Sequence, residues 1–318
     1  MERVLTPEAA AFIEEWNNGT PHITAHTSGS TGEPKPIRLL KSDMRASARA
    51  TIRFFGITPD STLCLPLSPD YIAGKMQIVR SLEANCSLLV LPPSNSPMAT
   101  LSDISVDLLP IVPSQIPGLL KSVRRNRIKN VIVGGAPISP EAEAALREAY
   151  PDSYATYGMT ETCSHVALRR LGDEHFKALP GFEFSTDSRG CLVIQSSTLS
   201  FGTLTTNDIV NLSDAKTFRW LGRFDNVINS GGLKIFPEEI ERTIAPLFPT
   251  GSLFYVTSRP SPQWGEEAVI VTDACNLPDD ILERMRTLLP ARKAPKDVIY
   301  VDEIPLTASK KIIRKKIM

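Results

Sequence analysis

The chain has 318 residues, with 35 Lys and Arg balanced by 35 Asp and Glu, and this zero formal charge argues against a protein that wraps a polyanion. Hydrophobic residues make up 42% and charged residues 22%, the balance of a folded globular chain rather than a disordered one. Its cysteines, at positions 64, 86, 163, 191 and 275, are odd in number and form no C-x-x-C pair, which speaks against a disulfide framework or a zinc site.

The N-terminal residues carry no apolar core of signal-peptide length, and no run reaches the roughly 18 apolar residues of a membrane span. The expectation is therefore a cytoplasmic protein without membrane insertion. Ile23-Thr24-Ala25-His26 reads as a strand, and Thr27-Ser28-Gly29-Ser30-Thr31-Gly32-Glu33-Pro34-Lys35 follows it. Glycines let backbone approach a ligand, hydroxyls and free N–H groups donate to phosphate oxygens, and Lys35 adds a point charge. The run reads either as a flexible wrap for a polyphosphate, favoured by its place at a strand's end, or as a solvated Gly/Ser turn, and the spacing of a Walker A loop cannot be laid over it.

Short apolar runs then alternate with helical patterns up to about residue 160. Strands are expected over 61–66, 87–91, 107–112 and 130–133, apolar on both faces as parallel strands are. Met44, Ala48, Ile52 and Phe55 recur at helical spacing, as do Ala142, Ala145, Leu146 and Ala149 behind the N-cap Ser139-Pro140. The alternation implies a mostly parallel sheet with helices on its faces and a ligand beyond the strands' carboxyl ends, where the phosphate loop is expected. From about 164 to 220, β-rich segments suggest an antiparallel or barrel-like subdomain. Beyond the turn at Arg223-Phe224-Asp225 comes a smaller α+β unit, with a Gly231-Gly232 hairpin, a helix from Pro237, two strands and a further helix from about 278. The domains expected are 1–222 and 223–318.

Further stretches carry chemistry. In Tyr157-Gly158-Met159-Thr160-Glu161, the phenol ring can stack on a base, Thr160 can donate to a phosphate and Glu161 can hold magnesium with its waters. Asp208, after a strand, can accept both hydroxyls of a ribose. Two more stretches are Leu221 to Glu241, around Arg223, Asp225, Gly231 and Gly232, and the C-terminal Pro305 to Arg314 with Ser309, Lys310 and Lys311. A nucleic-acid role is poorly supported, because no aromatics interleave the basic residues.

In order and joint presence these five stretches resemble the signatures of the adenylate-forming superfamily of acyl-CoA synthetases, adenylation domains and luciferases. The resemblance runs from residue 27 to residue 314. It implies an α/β fold: a large domain with a mostly parallel sheet and a β-rich subdomain, N-terminally shortened, then a small mobile α+β domain. It implies ATP and coenzyme A as co-substrates, Mg²⁺, and a small-molecule carboxylic acid as partner. Thr27, Ser28, Gly29, Ser30, Thr31, Gly32 and Lys35 would close over the β- and γ-phosphates. Gly134, Gly135, Ala136 and Pro137 would form the adenine-side turn, with Tyr157 stacking on adenine beside Gly158. Thr160 would meet the α-phosphate, Glu161 would serve the metal, and Asp208 and Arg223 would hold the ribose. Asp225 falls at the hinge, and Gly231 and Gly232 line the pantetheine channel. Lys311 would bridge carboxylate and α-phosphate during adenylation.

Some positions depart from the pattern. Lys310 stands where glycine precedes the catalytic lysine, and the register of Pro305, Thr307, Ser309 and Arg314 favours Lys311. Asn207 replaces the glycine before the ribose aspartate. The phosphate loop normally follows a long N-terminal subdomain, so part of the acyl-pocket wall or a dimer surface is expected to be absent or supplied otherwise.

On the substrate side, Leu65 to Met76 and Tyr157 to Arg170 resemble the shortened o-succinylbenzoate–CoA ligases of menaquinone biosynthesis. That substrate is an aromatic dicarboxylate. Its second carboxylate needs a cation or several donors, since an unpaired buried charge is costly. Either Lys75 helps hold it, directly or through water, with Ser164 and His165 nearby, or Lys75 is a solvated helix residue. Alternatives are another aryl or acyl acid, loaded on CoA or a carrier-protein pantetheine, and a nucleotide-binding relative with reduced catalysis.

Overall fold

The computed structural model describes residues 3–26, 35–99, 103–122, 127–249, 251–307 and 312–317. The chain opens with β1 (Arg3–Val4) and α1 (Pro7–Asn17), then forms the antiparallel pair β2 (His22–His26) and β3 (Pro36–Leu40). Helix α1 starts on the Thr6 hydroxyl, which accepts from the Ala9 N–H, and has Pro7 in its first turn. At its other end the buried Lys41 ammonium donates to the carbonyls of Glu15 and Asn18, a cation where the helix dipole is negative.

A β/α run follows: α2 (Lys41–Phe55), β4 (Thr62–Leu65), α3 (Ile72–Ala84), β5 (Ser87–Val90), β6 (Ser105–Ile111), α4 (Ile116–Leu120), β7 (Arg127–Val133), α5 (Pro140–Ala149) and β8 (Ser153–Gly158). The strands expected from apolar runs are present as β4 to β7, and Ser139 caps α5 through the Ala142 N–H. The chain then folds back on itself through β9 (His165–Arg170), β10 (Phe176–Ala178), β11 (Phe182–Thr186), β12 (Cys191–Ser196), β13 (Thr203–Asp214) and β14 (Thr217–Arg223).

Twelve of these strands form one mixed sheet in the order β1-β5-β4-β6-β7-β8-β9-β10-β14-β13-β12-β11. From β1 to β8 every pairing is parallel, and from β8 to β11 every pairing is antiparallel. The sheet is thus only partly parallel. The β-rich segment extends it rather than forming a separate barrel-like body. Between Gly158 and His165 there are too few residues for a parallel crossover, so β9 must turn back along β8.

A second correction concerns the hairpin β2–β3. Its strands lie off the large sheet, and the last pairing before the phosphate loop is His26 with Pro36. The strand that leads to the phosphate loop is therefore one arm of an antiparallel hairpin and not a parallel strand of the large sheet. Residues 27–34 of the loop lie outside the described residues.

Beyond β14 the chain builds β15 (Ile228–Ser230), β16 (Leu233–Ile235), α6 (Pro237–Ile244), β17 (Phe254–Ser261), β18 (Gly265–Thr272), α7 (Ile281–Leu288) and β19 (Val298–Tyr300). These strands form a separate five-stranded sheet. It has its own apolar cluster, in which Ile228, Ile240, Ile244, Val256, Ile270 and Met285 are buried. Helix α6 lies against the large sheet: Arg219 on β14 pairs with Glu239 at 3.1 Å, and Gly222 lets the Glu238 side chain come close. Among the described residues no helix is long and apolar enough to cross a membrane.

Candidate active site

The end of β8 and the turn after it form the centre of the site. Thr162 locks this turn, accepting the Met159 N–H at 3.0 Å and donating to the Ser164 carbonyl at 2.7 Å. Thr160 is buried, whereas Glu161 is exposed with no protein partner among the described residues. Cys163 holds a positive φ of 63° here, an uncommon conformation for a side-chain-bearing residue that the surrounding bonds impose.

Gly158 sits at a register shift between β8 and β9, and a Cβ there would stand 2.3 Å from the Ser164 carbonyl oxygen and 2.5 Å from His165 Cα. The glycine is required by packing of backbone on backbone. Gly158→Ala is expected to cost about 1–3 kcal/mol of stability, read by denaturant unfolding, as overpacking forces the strands apart.

Tyr157 and Asp208 meet across the sheet. The phenol donates to Asp208 Oδ2 at 2.8 Å, the Trp220 indole donates to Oδ1 at 3.2 Å, and Arg223 Nη1 lies 3.6 Å from the same oxygen. Asp208 and Arg223 are register partners on β13 and β14, so strand pairing brings the two expected ribose residues together. Burial, reinforced by the Asp208 charge, holds the Tyr157 phenol well above its ordinary value, so it is a donor at neutral pH. Its ring lies edge-on to Phe176 and Phe218. Asp208 keeps acceptor capacity, since a carboxylate offers about four lone-pair sites.

Gly134, Gly135, Ala136 and Pro137 follow β7 directly. Gly134 faces the Thr156 hydroxyl where a Cβ would lie at 2.4 Å, and Gly135 has φ of 88°. Lys35 is exposed at the foot of β3. Thr27, Ser28, Gly29, Ser30, Thr31 and Gly32, with Lys311 at the other end of the chain, lie outside the described residues. Gly231 and Gly232 form the β15–β16 turn with φ of 54° and 78°. The bare face of Gly231 is taken by the Trp264 ring, and that of Gly232 has open space.

The structure separates the three expected substrate residues. Ser164 and His165 lie together, but Lys75 faces α1, its ammonium 4.7 Å from the centre of the Phe12 ring. The cation beside Ser164 is instead Arg80, which the sequence reading missed. Its Nη2 donates to the Ser164 hydroxyl at 2.6 Å and its Nη1 to Gln77 Oε1 at 3.2 Å. Gln77 is held in turn by the carbonyls of Cys64 and Leu108. Arg80 is 2% exposed, has no carboxylate partner among the described residues, and its Nε has no hydrogen-bond partner there. Burial lowers its guanidinium from the ordinary arginine value to about 9. His165 bonds Thr51 at 3.0 Å, and burial with the charge of Arg80 keeps its imidazole well below the ordinary value. The signal in sequence was a Gln–Arg pair, Gln77 and Arg80, on a helix buried continuously from Met76 to Ser81.

Burial raises the Cys64 and Cys163 thiols to about 12, which leaves them protonated and unsuited to nucleophilic attack.

The profile of the AMP-binding enzyme family matches residues 8–185, more than half of the chain. The chain belongs to the AMP-binding enzyme family. A solved member from Dyadobacter fermentans, described as an acyl-CoA synthetase (AMP-forming)/AMP-acid ligase II-like protein, is 33% identical, with a TM-score of 0.66 over 98% of this chain and 94% of that one. A 2-succinylbenzoate–CoA ligase from Listeria monocytogenes is 28% identical over 342 residues, covering 98% of this chain and 72% of the relative's length. The fold is also shared with the o-succinylbenzoate coenzyme A synthetase of Bacillus subtilis in complex with ATP and magnesium ion, at 21% identity and a TM-score of 0.76, over 91% of this chain and 68% of that one.

Proposed function

We propose that this AMP-binding enzyme activates a carboxylic acid bearing a second carboxylate, o-succinylbenzoate, and passes the acyl group to coenzyme A. The observation that carries the reading is Arg80: a buried guanidinium with an orphaned Nε, beside the Ser164 hydroxyl and close to the catalytic turn. A dicarboxylate supplies the anion that such a cation lacks, in a charge-assisted hydrogen bond. The 2-succinylbenzoate–CoA ligase named among the relatives supports the same acid.

In the first half-reaction the substrate carboxylate attacks the α-phosphorus of ATP, and the bond to pyrophosphate breaks. Two anions are brought together, and the residues proposed here offset that repulsion. Thr160 would donate to the α-phosphate, residues 27–35 would hold the departing phosphates, and Lys311 would bridge the carboxylate and the phosphoryl oxygens. Asp208 and Arg223 would hold the ribose, with Tyr157 and the 134–137 turn bordering adenine. Exposed Glu161 fits Mg²⁺, a hard cation bound through one or two carboxylates with several waters. When bound, that ion supplies charge neutralisation to the triphosphate.

In the second half-reaction the CoA sulfur attacks the acyl carbon and AMP leaves. The 223–318 unit would swing about Asp225 between the two steps, bringing the Gly231-Gly232 turn to the site.

The test is acid-dependent pyrophosphate release with o-succinylbenzoate and with its analogue lacking the ring carboxylate, each with and without CoA. Release with the diacid, and thioester once CoA is added, is expected; silence with both acids rejects the reading. Lys311→Ala is expected to slow adenylation about a hundredfold while sparing thioester formation from supplied acyl-adenylate. Equal loss in both steps would reject its role.

A further inference from the structure

Asn207 occupies the place before the ribose aspartate, and its side chain points away from Asp208 into the turn that joins the two sheets. Arg189 Nη1 donates to Asn207 Oδ1 at 3.0 Å, and Asn207 Nδ2 donates to Asp225 Oδ2 at 3.5 Å. Arg189 is itself fixed, by Asp187 at 2.8 Å and by the Thr206 carbonyl at 3.2 Å. A guanidinium only donates and a carboxylate only accepts, so the amide has one possible orientation between them. The same guanidinium lies 5.0 Å from the centre of the Phe224 ring, a second grip on the turn. Arg223 completes the group: one arm reaches Asp225 at 3.4 Å and the other lies 3.6 Å from Asp208.

We propose that Asn207 is a positioning residue that latches the 223–226 turn to the nucleotide side of the site and so sets how readily the small unit swings. A glycine at this place has no side chain with which to reach Asp225. Arg223 shares its charge between Asp208 and Asp225, so a ribose that draws it toward Asp208 leaves Asn207 as the main tie on the turn. The contacts to Asp225 are exposed and long, so the latch is light. It biases an equilibrium and does not lock it. This inference rests on the adenylation and thioester reading above, in which Asp225 is the hinge.

The experiment compares Asn207→Gly, Asn207→Asp and the double change Asn207→Asp with Asp225→Asn. Asn207→Asp keeps the Arg189 contact but sets like charges against each other at the turn, and the double change restores a donor–acceptor pair. One readout is the ratio of adenylation to thioester formation. The other is the distance distribution between probes on exposed Cys275 and on a cysteine introduced at exposed Asp60, which needs no activity. Both single variants are expected to broaden the distances and shift the ratio by roughly three- to tenfold, with the double change returning toward the parent. A distance distribution unmoved by Asn207→Asp overturns the latch, as does a raised KM for ATP with the ratio unchanged. If no acid is adenylated but the distances still respond, the latch stands and the proposed reaction fails.

Discussion

Arg80→Met should lower kcat/KM for o-succinylbenzoate about a thousandfold, roughly 4 kcal/mol of lost transition-state binding, and leave KM for ATP unchanged. The variant removes the cation that donates to the Ser164 hydroxyl and, on the proposed reading, strands the second carboxylate of the acid in an apolar wall. Lys75 cannot replace it, because its ammonium is committed to Phe12 on the opposite side of α3. Arg80→Lys should recover part of the loss, since a point charge cannot copy the guanidinium fork. Stability separates this role from a structural one. The guanidinium, lowered by burial to about 9, is a cost to the fold that no carboxylate among the described residues offsets. Met at this position should therefore leave unfolding within about 1 kcal/mol of the parent, despite orphaning Gln77 Oε1, whereas a keystone of the core would lose several. The pH dependence follows. Above about 9 the unfolded chain holds the Arg80 proton more tightly than the fold does, so the penalty is fully present below that pH and fades as pH rises past it. Use of the dicarboxylate should be level below about pH 9 and fall above it, and the analogue lacking the second carboxylate should show no such fall. A diacid rate indifferent to Arg80→Met would sink the assignment.

The contrast between Lys75 and Arg80 shows what a sequence can disclose about such a site. Residues defined by backbone chemistry were legible: Gly134, Gly135, Gly158, Gly231 and Gly232 mark turns or close approaches. The ordered run of Thr160, Glu161, Asp208 and Arg223 was legible as well, and strand register then brings Asp208 beside Arg223. The cation beside Ser164, proposed above to bind the acid, was not. Lys75 and Arg80 stand five residues apart, about 140° around the helix, and only the packing of α3 on α1 and on the sheet decides which faces inward. Hydrophobic alternation likewise announced β4 to β7 but not how the later strands join them. Strand periodicity records which residues are buried and is silent on the partner strand. The large sheet runs on from β8 into β9 because the connection is too short for a crossover, a fact of chain length near Ser164 that the apolar pattern does not carry.

Removing either member of the Glu241–Arg314 pair should destabilise the small unit by about 3–5 kcal/mol, and replacing both, as Glu241→Leu with Arg314→Met, should recover most of that loss. Both side chains are largely buried. Arg314 meets Glu241 through its two terminal guanidinium nitrogens, Nη2 to Oε2 at 2.7 Å and Nη1 to Oε1. The Val256 N–H donates to Glu241 at 2.6 Å, and Arg314 donates back to the Val256 carbonyl at 3.2 Å, so the pair is stitched into β17. Burial opposes the charge on Arg314, but the hydrogen bonds and charge of Glu241 hold its guanidinium above the ordinary value. A lone Glu241→Ala would leave that guanidinium buried without its partner. The consequence for chemistry is positional. Arg314 follows residues 308–311 on an arm pinned by the Leu306–Ile312 bridge, by the Ile313 N–H on the Pro305 carbonyl at 2.9 Å and by the Ile317 N–H on the Ser258 carbonyl at 3.0 Å. Loosening Arg314 should therefore reduce adenylation, the step proposed for Lys311, while the nucleotide binding proposed for Asp208 and Arg223 persists. Denaturant unfolding of the two single variants and the double variant, with ATP binding and pyrophosphate release measured on each, reads both effects. If the double variant regains stability but not adenylation, the pair positions the lysine-bearing arm as well as holding the unit together; if it regains both, the pair is structural only; and if the single variants unfold like the parent, the ion pair contributes nothing to the fold.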